Sequence, residues 1–173
     1  AGDPDVWTDE YRPKDKESIL ATKIQFEITE EAVEHWEPKI VIFDGTLAMH
    51  FLMLPSIKFS EDYRKDVDET LRSAVNLLQT CFMKDIPIIG FAKRTRMTQI
   101  CRSLGEYKMR DTALLDLILN LGDYTEPEAK PTRGYVIDIY KKKAEEFGVP
   151  ESMIPKITNF YSSYIRTGIT TPF

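Results

Sequence analysis

The sequence is poor in the residues that mark secreted, zinc-binding or thiol-dependent proteins. It has two cysteines, Cys81 and Cys101. They stand in no metal-ligand spacing and read as reduced, buried thiols of a cytosolic protein. The two histidines, His35 and His50, lie apart from each other and from any cysteine at zinc spacing, so they read as ordinary surface or core residues. Asp3, Asp5, Asp9 and Glu10 crowd the start, which excludes the basic n-region of a signal peptide. No apolar run approaches the roughly 20 residues of a membrane helix. A glycine-rich phosphate loop, a Gly-x-Ser-x-Gly elbow and a Cys–His nucleophile pair are all missing. The expectation is a cytoplasmic protein without a membrane anchor.

What is present suits one globular domain: 173 residues, 42% hydrophobic and 29% charged. The formal net charge of −5 argues mildly against nucleic acid, whose phosphates are bound by Lys and Arg. The distribution of charge says more than the sum. Lys93, Arg94, Arg96, Arg102, Lys108 and Arg110 form a basic strip opposed only by Glu106, while acidic residues concentrate at 27–37 and 61–69. Such a strip suits a DNA backbone; a solvated helix face is the plain alternative.

Along the chain, residues 1–17 are polar, carry Pro4 and Pro13, and predict an arm or loop ahead of a domain over 18–173. From Ser18 the periodicity predicts a helix ended by Pro38, with Leu20, Ile24 and Ile28 along one side, Glu27 beside them, and Phe26, Val33 and Trp36 on another. Residues 39–43 read Lys-Ile-Val-Ile-Phe, which suits a central strand covered on both faces. Residues 50–63 predict a loop and 66–83 a strongly amphipathic helix through Val67, Leu71, Val75, Leu78 and Phe82. A second strand follows at 86–91, then a helix from Thr95 or Arg96 to about Leu104. Strand, helix, strand and helix predict a βαβ unit with parallel strands whose C-terminal ends share one edge of the sheet. Further helices are expected at 112–121, with Asp111 as N-cap, and at 135–147, then a last strand at 156–167.

The sharpest feature is Phe43-Asp44-Gly45-Thr46-Leu47. A carboxylate at the C-terminal tip of a strand, followed by glycine, suits an oxygen ligand to a metal with room for a phosphate beside the backbone. An Asp that only caps a turn is the plain alternative. The string also resembles the first motif of the haloacid-dehalogenase phosphatases, Asp-x-Asp-Gly-Thr. The nucleophilic aspartate of that motif falls on Ile42 here, so no aspartyl-phosphate can form.

A second resemblance covers more of the chain. Ile24-Gln-Phe-Glu27 leading to Asp44, the strand-end Val41-Ile-Phe-Asp-Gly-Thr-Leu47, Ile88-Ile-Gly-Phe-Ala-Lys-Arg-Thr-Arg96, Asp111-Thr-Ala-Leu-Leu115 with Gly122, and Tyr164-Ile-Arg166 running to Thr171-Pro-Phe173 together resemble the NurA nucleases. These partner the HerA-type hexameric translocase in DNA-end processing. The resemblance implies an α/β, ribonuclease H-like core with a mainly parallel sheet flanked by helices, and a Mn²⁺- (or Mg²⁺-) dependent DNA nuclease acting as a homodimer. It implies Glu27 and Asp44 as metal ligands, and Lys93 as a cation facing the scissile phosphate. Arg94, Arg96 and Arg166 become DNA contacts, and Asp111 and Tyr164 further members of the catalytic set. Oxygen ligands suit these ions, which activate water in phosphodiester hydrolysis. An unpaired Glu27 on an apolar helix face would be costly to bury; a metal or a salt bridge resolves that equally well.

The chain departs from the family pattern in two places. An earlier strand ending in Asp-Gly-Ser is not found ahead of Glu27, and the pattern is cut at Pro172-Phe173. The expectation is a domain incomplete at both ends. A non-catalytic scaffold that binds DNA or a partner on the same fold is the competing reading.

Overall fold

The computed structural model describes residues 13–47, 61–91, 101, 105, 110–126, 128–129, 133–163 and 165. Helix α1 (Pro13–Trp36) leads into strand β1 (Val41–Asp44), and α2 (Glu61–Met83) into β2 (Ile88–Phe91). Then come α3 (Asp111–Ile118), β3 (Glu128–Ala129), α4 (Arg133–Glu146), the short α5 (Ile154–Ile157) and β4 (Tyr161–Ser162). β1 and β2 pair in parallel, in the register Val41 to Ile88 and Asp44 to Phe91. The α/β class and the parallel βαβ unit expected from the sequence are therefore present, as a small two-stranded sheet flanked by helices. No helix among the described residues is long and apolar enough to cross a membrane.

Contacts between α1 and α2 climb together along the chain: Lys23 with Glu69, Glu27 with Ser73, Glu30 with Thr80 and Glu37 with Lys84. The two helices thus lie side by side in the same direction, both antiparallel to the strands they flank. α2 is the hub. Leu71, Ala74, Val75, Leu77, Leu78 and Cys81 bury one broad side of it, and α4 and α5 pack on it as well as α1. Burial, with the Glu30 carboxylate as a lesser cause, pushes the Cys81 thiol up to about 11, so it stays protonated and inert.

Several expectations need correction. The first helix begins not near Ser18 but at Pro13, a residue whose fixed φ suits a first turn. Its buried stripe is Ile19, Phe26 and Val33, two turns apart. Ile24, Ile28 and Trp36 are exposed, because among the described residues α1 has neighbours along one side only. β1 is covered on one face rather than two. Val41 and Phe43 are buried against the helices, while Ile42 is 71% exposed and its β2 neighbour Ile89 50%. Lastly, among the described residues of the strand expected over 156–167, Lys156 and Ile157 are helical and 158–160 are not strand. Pro155 sits in the first turn of α5, and only Tyr161–Ser162 form strand β4, paired antiparallel with β3 and continued by a bridge between Tyr124 and Ile165. Residues 50–60 of the loop expected over 50–63 lie outside the described residues, and α2 begins at Glu61 rather than Asp66. Of the helix expected from Thr95 or Arg96 to about Leu104, Cys101 alone is described, and it is helical.

Candidate active site at the strand tips

Parallel pairing carries Asp44 and Phe91 to one edge of the sheet, the edge where ligands of open α/β sheets bind. Strand alternation fixes where each side chain goes. Phe43 turns inward and stacks on Phe26 of α1, with ring centroids 4.7 Å apart and planes 7° from parallel. Asp44, the next residue, is exposed on the opposite side with Ile42. Gly45 then takes φ +140°, where a side chain is strained, and its N–H donates to the Phe91 carbonyl at 3.1 Å. The strand tip is thus tied to its neighbour immediately after the carboxylate.

Glu27 follows Phe26, the residue that stacks on Phe43 beside the strand tip. Its carboxylate turns elsewhere. It accepts a hydrogen bond from the Ser73 hydroxyl at 3.1 Å and lies 3.8 Å from the Lys23 ammonium. Lys23 itself binds Glu69 at 2.7 Å. The hydrogen bond to Glu69 is the main reason the Lys23 ammonium is held above its ordinary range, with the charges of Glu27 and Asp66 adding to it. A built-in cation therefore serves the carboxylates of this seam, and Glu27 is half-exposed rather than buried on an apolar face. Its charge is answered by a salt bridge and a hydroxyl.

Asp111 is not the N-cap of α3. Arg110 holds that place without a side-chain cap. Asp111 is fully buried, and its carboxylate accepts the Cys101 backbone N–H at 2.9 Å, which suits a structural tie. Lys93, Arg94, Arg96, Tyr164 and Arg166 lie outside the described residues.

The donors present were weighed against the metal that the resemblance implies. Asp44 offers an exposed carboxylate at a fixed strand end, which fits. Glu27 is turned to Ser73 and Lys23, and Asp111 to a backbone amide, which does not. Among the described residues no group of three or more Asp, Glu, His or Cys side chains stands close enough to hold an ion. The described residues therefore do not make a complete metal site.

A family model described as the NurA domain matches residues 5–172. The chain belongs to the NurA domain family. That family is one of nucleases, and the match spans both α1, with Glu27, and the Asp44 strand tip. No curated protein and no solved structure gives a significant match.

Two residues near the NurA strand tip escaped the sequence reading. Ser73 is one of three buried hydroxyls on α2, with Thr70 and Thr80, and its hydrogen bond holds Glu27. Gly90 lies in β2 where an added Cβ would stand 2.8 Å from the Gly45 carbonyl oxygen. A glycine inside a strand pattern is a known sign of close backbone approach, so Gly90 was legible in principle.

Proposed function

We propose that this chain is the nuclease domain of a metal-dependent deoxyribonuclease, built on a ribonuclease H-like core and acting in DNA-end processing with a HerA-type translocase. The observation that carries the reading is Asp44, exposed at the C-terminal tip of a parallel strand in a chain of the NurA family. In this reading Mn²⁺ or Mg²⁺ supplies the activated water and the charge for the leaving oxygen. Asp44 is one ligand. Glu27 would be another, as the family resemblance implies, once released from Ser73 and Lys23. Lys93, Arg94, Arg96 and Arg166 bind the DNA backbone, and Tyr164 lies near the scissile phosphate. A homodimer forms the working unit.

A second reading has its own support. Glu27 is already satisfied by Ser73 and Lys23, as expected of a scaffold that keeps the fold without the chemistry.

The deciding experiment is cleavage of labelled single- and double-stranded DNA by the full-length gene product with Mn²⁺, Mg²⁺ or EDTA, beside its Asp44→Ala and Glu27→Gln variants. The nuclease reading expects metal-dependent cutting and a loss of about 100-fold or more in Asp44→Ala, the scale set by losing a charge-stabilising group. Absence of cutting under every condition would hand the case to the scaffold.

A further inference from the structure

Asp44 ends its strand, but the chain just beyond it is held by residues far away in sequence. Tyr140, on α4, is 0% exposed. Its hydroxyl donates to the Leu47 carbonyl at 2.7 Å, a contact that spans 93 residues. The Tyr140 ring is itself set by Phe160, edge to face at 5.4 Å. On the other side the same turn rests on β2. A Cβ at Gly90 would come within 2.9 Å of the Leu47 backbone nitrogen and of Leu47 Cγ, besides the Gly45 oxygen. Leu47 occupies the space that a side chain at residue 90 would need. The Gly45 N–H bond to Phe91 closes the arrangement.

The turn at residues 45–47 is therefore wedged between a glycine of the neighbouring strand and a buried tyrosine hydroxyl. Neither contact touches Asp44, yet together they leave the end of β1 one place to go. Reacting groups must be held within about 0.5 Å of productive geometry, and misplacement by about 1 Å costs on the order of 100-fold in rate. We propose that Tyr140 and Gly90 are positioning residues for the Asp44 carboxylate in phosphodiester cleavage, the tyrosine pulling the strand-end turn inward and the glycine giving it room. This rests on the reading of Asp44 as a site carboxylate.

The test uses the full-length protein and two variants, Tyr140→Phe and Gly90→Ala. The first removes a single oxygen and keeps the ring, so the fold is retained; the second adds one methyl group. Three quantities are read: kcat and KM for DNA, and backbone hydrogen exchange of residues 45–47 without metal. The positioning role expects faster exchange at 45–47, kcat lowered about 10- to 100-fold, and KM for DNA within about twofold, since the substrate-binding cations are untouched. Val33→Ala serves as the comparison. It cuts into the buried stripe of α1 away from the tip, so it lowers thermal stability with kcat and exchange at 45–47 unchanged. Faster exchange with kcat intact would overturn the proposal, because the turn would then be loose and the reaction indifferent to it. Unchanged exchange in Tyr140→Phe would overturn it too, because the hydroxyl would then hold nothing. Full activity in Asp44→Ala is a different result: it removes the parent reading of Asp44, and the positioning role falls with it.

Discussion

The two ends of the β1–α2–β2 unit are built in different ways. At the end where helices hand over to strands, each helix has its own local stop. Asp85 takes φ +54° after α2. Its N–H returns to the Phe82 carbonyl, and the Ile86 N–H to that of Cys81, the paired bonds of a Schellman stop. Glu37 takes φ +42° after α1, with its N–H on Val33 and its carboxylate on Lys84. At the other end, where Asp44 lies, the fastening is remote: a tyrosine from α4 and a glycine from the second strand. Helix stops close one end, the frame end, with the Glu37–Lys84 pair tying the two stops together, and contacts from α4 and β2 hold the turn after Asp44. The frame therefore tolerates change better than the tip does.

The strongest way to break this contrast is Phe43→Ala. It removes the ring that stacks on Phe26 directly beneath the tip, and should cost about 3–5 kcal/mol in urea unfolding. A loss under about 1 kcal/mol would mean that the tip does not lean on α1. A smaller effect of opposite sign is expected at the frame end. Asp85→Gly relieves a left-handed conformation that favours glycine, so it should raise stability by up to about 1 kcal/mol and leave nuclease activity unchanged. Destabilisation would show that the Asp85 side chain contributes more than its backbone costs.

The smallest effect lies in the seam between the two ends and depends on pH. Burial pushes the Glu30 carboxyl above its ordinary range, while the Thr80 hydroxyl and its hydrogen bond pull it back in part. A carboxyl raised on folding favours the folded state in its protonated form. That contribution is present below the ordinary carboxylate range and is lost as pH rises through the raised value. Glu30→Gln keeps an acceptor for Thr80 without the charge, so it should raise the melting temperature at neutral pH. The gain should disappear near about pH 4, where glutamate is substantially protonated in both states. A gain that is equal at both pH values would place its cause outside ionisation.

The same division explains what could be read from the sequence. The order of helices and strands, the parallel pairing and Asp44 at a strand end were legible, because apolar period, Pro38 and Asp44-Gly45 are local signals. The inner stripe of α1 was left open. Ile24 and Ile28 repeat at helical spacing as convincingly as Phe26 and Val33, and only the one-sided placement of α2 decides which set is covered. Asp111 looked like a cap because it precedes a helix; its bond to the Cys101 amide, from a residue earlier in the chain, is not encoded in the local pattern. Glu27 was found as a residue, but its partners Ser73 and Lys23 follow from the parallel packing of α1 on α2, which no periodicity specifies. Tyr140 gave no sign at all of its hold on the strand tip.

That hold has a consequence for the order in which the molecule forms. Residues of α1, β1, α2 and β2 all leave the ribosome before Tyr140 is made. At synthesis rates of about 5–20 residues per second, the stretch from β2 to α4 takes roughly 3–10 seconds, far longer than a helix or a short loop needs to form. The frame can therefore be standing while the turn after Asp44 still samples other positions. The turn after Asp44 gains its bond from Tyr140 only after α4 is made.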